Sequence, residues 1–355
     1  MTQAPPDSGS WATVDVLDEV VRWRDAGRGV ALATVIATWG SSPRPPGSQL
    51  AVDSEGRMAG SVSGGCVEGA VVETALRVIE SGLHEVLAFG VTDELAWEVG
   101  LACGGEMEVF VERVARAGGE VEQRASWLDR LQADRAAKRP AVLTLSLESG
   151  RRELLHPAAT GNDASPEVIE IARATREALR RDAPRMLERR DGRLFLQPFN
   201  PPLRLVVVGA VHIAQPLSRM ASESGYEVIV VDPRAAFASN TRFPEVRLER
   251  SWPDEALQSL ELDARTAVVT LTHDPKLDDP ALQVALRSPA FYIGCLGSPR
   301  TQAQRLERLR EEGFDEETLR RIHGPVGLDI GARSPAEIAI SILGEITAQL
   351  RARSA

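Results

Sequence analysis

The stretch from Leu203 to Arg234 constrains the fold of this chain more than any other. It begins with the apolar run LRLVVVGA, continues with a helical pattern over 212–224, and closes after Gly225 with YEVIVVDPR. A buried strand, a glycine turn, a helix and a second strand that ends in an acidic residue form the first unit of a dinucleotide-binding Rossmann fold. The sequence therefore predicts a parallel sheet with a ligand crevice at the carboxyl ends of its strands.

The same alternation continues to the end of the chain. Further strands are predicted at 266–271 and 290–294, and helices at 276–286, 299–312, 316–322 and 335–351. This pattern is typical of a doubly wound α/β sheet. The breakers at 199–202 separate it from what precedes, so we predict an N-terminal mixed α/β domain over residues 1–199 and a Rossmann-like domain over residues 200–355.

Candidate binding residues of the second domain share a place just after a predicted strand or just before a helix. They are Gly209, His212, Asp232, Thr272, His273, Asp274, Gly297, Ser298, Arg300 and Asp329. Ser298 before Pro299 predicts a helix cap, and the free amides of that helix together with Arg300 would suit a phosphate. The competing interpretation for Asp232, Asp274 and Asp329 is local capping of turn or helix amides.

The dinucleotide motif departs from its usual form at one position. Val211 stands where a second glycine would let the backbone approach a pyrophosphate, and this argues against ordinary NAD(P) binding. A nicotinamide-dependent oxidoreductase that uses Asp232 for the ribose is therefore kept as the alternative function.

Two cysteine–glycine turns mark the first domain. One contains Gly64, Gly65, Cys66 and Glu68, where a short β pattern gives way to a helical one, and the other contains Cys103, Gly104 and Gly105. A helix start would present free N–H groups and a positive partial charge to Cys66, which favours a thiolate. Arg44, in a loop with three prolines, is a further candidate for holding an anion. For Cys295, which follows a predicted strand, packing is the preferred interpretation.

Composition limits the classes of function. The 355 residues carry a formal net charge of −10, which argues against general binding of nucleic acid or of anionic membranes. No apolar run is long enough to span a bilayer, and the N-terminus lacks the features of a secretory signal, so a cytoplasmic location is expected. Three cysteines are too few for a disulfide framework. A zinc or other metal enzyme built on Cys66, Cys103 and a histidine is a third hypothesis, although no close ligand spacing supports it.

Six separated motifs carry a resemblance to a known family. They are GSSPR at 40–44, the stretches 60–69 and 100–105, THD at 272–274, GSPR at 297–300, and 327–332. In this order they resemble the xanthine dehydrogenase accessory factor family (XdhC/CoxI), over nearly the whole chain. That family usually has glycine at position 211, and often a different small or apolar residue at position 295.

The resemblance implies an accessory protein rather than a catalyst. Such a protein binds molybdenum cofactor, protects it during sulfuration with a cysteine desulfurase, and delivers it to a xanthine dehydrogenase-type molybdenum hydroxylase. It also implies a homodimer. Sulfurated molybdenum prefers soft sulfur ligands, so the thiols of Cys66 and Cys103 are expected to contact the metal, while the glycine turns would bind the cofactor's phosphate.

Overall fold

The computed structural model describes residues 15–40, 44–90, 105–117, 126–157 and 165–354. The predicted turn at Cys103 and Gly104 lies outside these ranges. The described residues up to Pro201 form one compact unit, and those from Pro202 onward form another. None of the described helices has an apolar stretch of the length needed to cross a bilayer.

The first unit contains two antiparallel sheets. Its strands are β1 (Val30–Trp39), β2 (Gln49–Asp53), β3 (Met58–Gly60), β4 (Glu85–Phe89), β5 (Glu106–Ala115), β6 (Ala141–Ser146), β7 (Arg152–Leu155), β8 (Arg185–Arg189) and β9 (Gly192–Phe199). Its helices are α1 (Val16–Asp25), α2 (Glu68–Ser81), α3 (Ser126–Ala136) and α4 (Pro166–Arg181). The described strands pair in the orders β3-β2-β1-β5-β4 and β7-β6-β9-β8.

Helix α2 follows the Cys66 turn and packs on the first sheet. Its apolar side, with Val71, Ala75 and Val78, is fully buried against β1, β2 and β5. Gly82 follows the last residue of the helix and has a left-handed φ of 74°, the usual C-terminal cap. The helix and its preceding turn are therefore held on a rigid sheet.

Two strands of the second sheet were not predicted from the sequence. β7 and β8 are short and lie at the two edges of that sheet, and each begins with an arginine. Edge strands are half-exposed and carry charged side chains, so they lack the apolar alternation by which strands are recognised.

The second unit is the predicted doubly wound sheet. Its strands are β10 (Arg204–Val208), β11 (Glu227–Val231), β12 (Arg247–Glu249), β13 (Thr266–Thr270), β14 (Tyr292–Cys295) and β15 (Ile322–His323). Its helices are α5 (Ala214–Glu223), α6 (Pro253–Ser259), α7 (Pro275–Arg287), α8 (Pro299–Glu311), α9 (Glu316–Leu319) and α10 (Pro335–Ser354). All neighbouring strands are parallel, in the order β12-β11-β10-β13-β14-β15.

Each face of this sheet has its own core. Leu205 and Val207 of β10 pack with α5 and α10, whereas Val206 and Val208 pack with α6 and α7. Successive side chains of a strand point to opposite faces, which is why a continuous apolar run was the right signal for a strand covered on both sides. Helix α6 and strands β12 and β15 were not predicted. The predicted helix at 316–322 is also shorter than expected, because the edge strand β15 begins at residue 322.

Candidate functional site

The first βα turn of the Rossmann-like unit is built around Gly209. Its φ is +106°, and a Cβ at this position would lie 2.5 Å from Cγ2 of Thr272. Only glycine fits here without displacing the neighbouring turn. The amide of the next residue, Ala210, donates to Oδ2 of Asp232 at 2.8 Å, so the turn is tied to the end of β11.

Asp232 is fully buried, and both of its oxygens are already occupied. Oδ1 accepts from the backbone N and Nε of Arg234 at 3.0 and 2.8 Å, and Oδ2 accepts from Nη2 of Arg234 at 2.7 Å. Burial by itself would raise the pKa of Asp232, but the hydrogen bonds from Arg234 and Ala210 outweigh it and lower the pKa. The carboxylate accepts from two turn amides, those of Ala210 and Arg234, which is the arrangement that the capping interpretation describes.

These contacts bear on NAD(P). In an ordinary site the acidic residue after the second strand accepts the ribose hydroxyls. Here Arg234 takes that place, and Val211 adds a side chain where the pyrophosphate would approach. The residues present therefore do not fit the ribose of NAD in its ordinary mode of binding.

The turn after β13 holds His273 in an unusual conformation. Its φ is +60°, a left-handed value that is uncommon for residues other than glycine, and its side chain is exposed. Thr272 Oγ1 donates to Asp278 Oδ1 at 2.6 Å and accepts from the amide of Asp274 at 3.1 Å. Asp274 caps α7 by accepting from the amide of Lys276. Strained residues of this kind are frequent at ligand sites.

A buried ion pair lies beneath this turn. Nη2 of Arg305 is 3.5 Å from Oδ2 of Asp278, and the side chains are 2% and 1% exposed. The same Nη2 donates to the carbonyl of Leu296 at 3.1 Å. Burial raises the pKa of Asp278 despite hydrogen bonding from Thr272 and the charge of Arg305. One pair therefore links the turn after β13 to the turn after β14.

The other predicted residues at this edge are placed as follows. Ser298 caps α8 by accepting from the amide of Thr301 at 3.2 Å, and Arg300 is exposed in the first turn of that helix. Gly297 precedes this cap with a φ of +152°. Asp329 is exposed in a loop that is anchored two residues earlier, where the amide of Gly327 donates to Glu345 Oε2 at 2.8 Å.

Cys295 ends β14 and does not reach the surface. It is completely buried in the core that also contains Val206 and Ile293. This burial raises the pKa of its thiol to about 12. The preference for a packing role agrees with this position.

The backbone amides of the glycine turn before α2 bind the side chain of Glu68, the first residue of that helix. Glu68 accepts hydrogen bonds from the amides of Ser63, Gly64 and Gly65 at 2.8 to 3.0 Å, and from the hydroxyl of Ser61 at 2.7 Å. Burial opposes ionisation, but the bonds from Ser63, Ser61 and the backbone lower the pKa of Glu68 to about 2. The expectation that these amides are open to an anionic ligand is therefore wrong.

Cys66 keeps its thiol at the surface. It is exposed and free, and it lies two residues before α2, next to Gly65 with a φ of +124°. Arg44 is also exposed, and Gly105 is buried. Within the ranges that the structure describes, no group of three or more His, Cys, Asp or Glu residues is placed to hold a metal ion.

Several side chains that support the site were not predicted from the sequence. Arg234 was visible in the DPR run, but nothing in the sequence showed that it would bind back to Asp232. Asp278 and Arg305 resemble ordinary charges on solvated helices, because each lies far in sequence from the residue that pairs with it.

Comparisons with known proteins agree with this architecture. Residues 23–90 match the model of the XdhC and CoxI family, and residues 205–346 match that of the XdhC Rossmann domain. The molybdenum cofactor insertion chaperone PaoD of Escherichia coli is 28% identical over 322 residues, which cover 90% of this chain and 83% of PaoD. A Bacillus subtilis protein described as a probable xanthine dehydrogenase subunit is also 28% identical, over 89% of this chain and 91% of its own.

A solved structure shares the fold. A crystal structure described as a xanthine dehydrogenase from Bacillus halodurans superposes with a TM-score of 0.75, over 96% of this chain and 97% of its own, at 24% identity. The two family models lie in the two units and in the expected order, and relatives of similar length match both units together. The chain belongs to the XdhC and CoxI family.

Proposed function

We propose that this protein is a maturation chaperone that binds molybdenum cofactor, protects it during sulfuration and delivers it to a molybdenum hydroxylase. The names of two relatives, a molybdenum cofactor insertion chaperone and a probable xanthine dehydrogenase subunit, support this class of function. The structural observation that carries it is the pairing of Asp232 with Arg234, because a Rossmann unit with this carboxylate occupied does not offer it to the ribose hydroxyls of NAD.

The cofactor is cargo in this proposal, and Cys66 is its soft ligand. An exposed, free thiol can approach a large ligand without rearrangement of the core. Thiolate sulfur is a preferred donor for thiophilic metals. Glu68 organises the turn that presents this thiol, and Cys103 is proposed as a second sulfur donor on the evidence of the sequence alone.

The partners follow from the role. Delivery requires a molybdenum hydroxylase apoprotein, and sulfuration requires a cysteine desulfurase that supplies the sulfur. We also propose a homodimer in the cytoplasm.

The test is retention of cargo on gel filtration. Purified full-length protein mixed with molybdenum cofactor is expected to elute with molybdenum, whereas the C66A variant loses most of it. Gly69→Ala is the matched control, because a Cβ at this exposed position of the same segment meets no atom within 4 Å. Equal retention by C66A and the parent would refute the thiol role, and no retention by the parent would refute the function.

A further inference from the structure

A cavity of about 320 Å³ lies in the first unit, at the carboxyl end of α2. Its walls come from the residues between α2 and β4, from the end of β5, from the start of α3 and from the turn between β6 and β7. Helix α2 contains 14 residues. At 1.5 Å per residue it is about 21 Å long, with the turn of Cys66 at one end and this cavity at the other. The cavity is therefore separate from the exposed thiol.

Two glycines make room for polar side chains at the cavity wall. A Cβ on Gly82, the residue after α2, would lie 2.4 Å from Nη2 of Arg113. A Cβ on Gly150, in the turn between β6 and β7, would lie 2.8 Å from Nδ1 of His84. A side chain at either position would push the guanidinium or the imidazole aside. The bare backbone thus allows both groups to border the cavity.

His84 is held in place without a hydrogen bond. Its ring is half-buried and stacks on Phe110, with 5.1 Å between the ring centres and 23° between the planes. Neither ring nitrogen makes a hydrogen bond with another residue in the described part of the chain. An imidazole has at least one N–H donor in every protonation state. His84 therefore provides the cavity with an oriented donor that the protein itself does not use.

Arg152 is a buried cation with incomplete hydrogen bonding. Its side chain is 3% exposed, and its guanidinium carbon lies 4.8 Å from the ring centre of Trp127. Nε donates to Oε1 of Glu112, and Nη2 lies against the same oxygen without the geometry of a hydrogen bond. Nη1 makes no hydrogen bond with any residue that the structure describes. Buried polar groups normally have hydrogen-bond partners, so the terminal nitrogens of Arg152 indicate a missing acceptor.

The charges at the cavity wall favour an anion. Among the described residues that line it, Arg113, Arg151 and Arg152 are cations and Glu112 is the one carboxylate. Glu112 already pairs with Arg152, so the lining side chains carry a net positive charge. The donors come from separate segments of the chain and approach from different sides. A phosphate, with three terminal oxygens, suits such donors better than a carboxylate with two.

We propose that this cavity binds the phosphate group of a small molecule, with Arg152 and His84 as donors and Arg113 as a further cation. A phosphate bound here supplies the acceptor that the terminal nitrogens of Arg152 lack. It also connects β5 of the first sheet to the β6–β7 turn of the second sheet. The site does not depend on the proposed function, because the thiol of Cys66 lies at the opposite end of α2.

Titration calorimetry of the full chain with inorganic phosphate tests this site. Wild type is expected to bind saturably, with a Kd on the order of 1 mM. His84→Phe keeps a ring that stacks on Phe110 but removes the N–H donor, so it should weaken binding about three- to tenfold. Arg152→Lys keeps the charge but loses the fork of N–H groups, and it should weaken binding about tenfold or more. Arg77→Gln is the control, because Arg77 is an exposed residue of α2 that pairs with Glu85 and does not line the cavity.

Each result supports or overturns the site. Absence of saturable phosphate binding overturns it, and so does equal binding by wild type and a folded variant of either His84 or Arg152. Tighter binding of acetate than of phosphate would overturn the assignment to a phosphate group. Circular dichroism melts identify variants with a folding defect. If Arg152→Lys does not fold, His84→Phe carries the comparison, because it preserves the aromatic packing.

A competition experiment separates this site from the proposed function. Saturating phosphate is expected to leave the retention of molybdenum cofactor by wild type unchanged, because the cavity and Cys66 lie at opposite ends of α2. Displacement of the cofactor by phosphate would indicate a shared site and overturn the separation. If wild type retains no cofactor, the proposed function fails, while the phosphate titration still decides the cavity.

Discussion

The carboxylate of Glu68 occupies the backbone amides of the glycine turn before α2, so these amides are not offered to a ligand. Three amides and two hydroxyls of residues 61–65 donate to its carboxylate. The glycines of this turn are typical of an anion-binding site, but here the anion is the carboxylate of Glu68. The glycines remain necessary, because Gly64 and Gly65 have φ values of 86° and 124° that side chains rarely adopt. The outcome is a rigid support for Cys66.

The ionised form of Glu68 is expected to stabilise the fold in a pH-dependent way. Its pKa is about 2 in the folded protein, below the ordinary value of 4.5, so its stabilisation is present above pH 4.5 and is lost as the pH falls towards 2. After allowance for solvent screening, Glu68→Gln should cost about 1–2 kcal/mol at pH 7 in urea unfolding.

The matched control is Glu80→Gln, an exposed position on the same helix. It should change stability by less than about 0.5 kcal/mol. A cost for Glu68→Gln that is independent of pH between 3 and 7 would contradict the role given to the charge.

Two of the three thiols are expected to differ sharply in reactivity. Cys66 is exposed, whereas Cys295 is completely buried and the pKa of its thiol is raised to about 12. Since the thiolate is the reactive form, native protein should react quickly with an aromatic disulfide reagent at Cys66, and at Cys295 only in denaturant. Mass spectrometry of the labelled peptides measures both. Labelling of Cys295 in the native protein would contradict its place in the core.

Among the elements, α7 and α8 are joined by the ion pair Asp278–Arg305. The pair is almost completely buried, and it reaches the turns after β13 and β14 through Thr272 and Leu296. Two loops at the sheet edge that carry candidate binding residues therefore contact the same buried ion pair. Removal of one partner leaves a buried charge without compensation.

Arg305→Met is expected to lower the free energy of unfolding by about 3–5 kcal/mol, because it removes the cation that pairs with the buried carboxyl of Asp278. The matched control is Arg308→Met, on the same helix as Arg305. It breaks a partly exposed pair with Asp279 of α7 and should cost less than about 1 kcal/mol. Urea unfolding measures both variants. The double variant Asp278→Leu/Arg305→Met should recover part of the loss, and a loss no greater than that of Arg308→Met would show that the pair adds nothing.

At the scale of the whole molecule, the chain consists of two units with separate cores. The described apolar clusters fall entirely within one unit or the other. We predicted the boundary at residues 199–200, in a segment rich in breakers.

Limited proteolysis tests that boundary. A protease with broad specificity is expected to produce two resistant fragments that meet within residues 200–203, between β9 and β10, because linkers between cores are cleaved first. Mass spectrometry locates the cut. Fragments that begin or end inside β9 or β10 would contradict the predicted domains.

What the sequence determined by itself was the periodic part of the structure. Strands covered on both faces, such as β10, are continuous apolar runs, and the start of α8 was predicted correctly because Ser298 before Pro299 marks it. The order of six motifs also placed the chain in its family. These signals are local, so a single sequence contains them in full.

The tertiary structure alone decided which polar groups are available to a ligand. Asp232 pairs with Arg234 two residues away, Asp278 pairs with Arg305 across two helices, and Glu68 turns back onto its own glycines. A sequence lists donors and acceptors but not their partners, because hydrogen bonds depend on distances of a few ångströms that only packing sets.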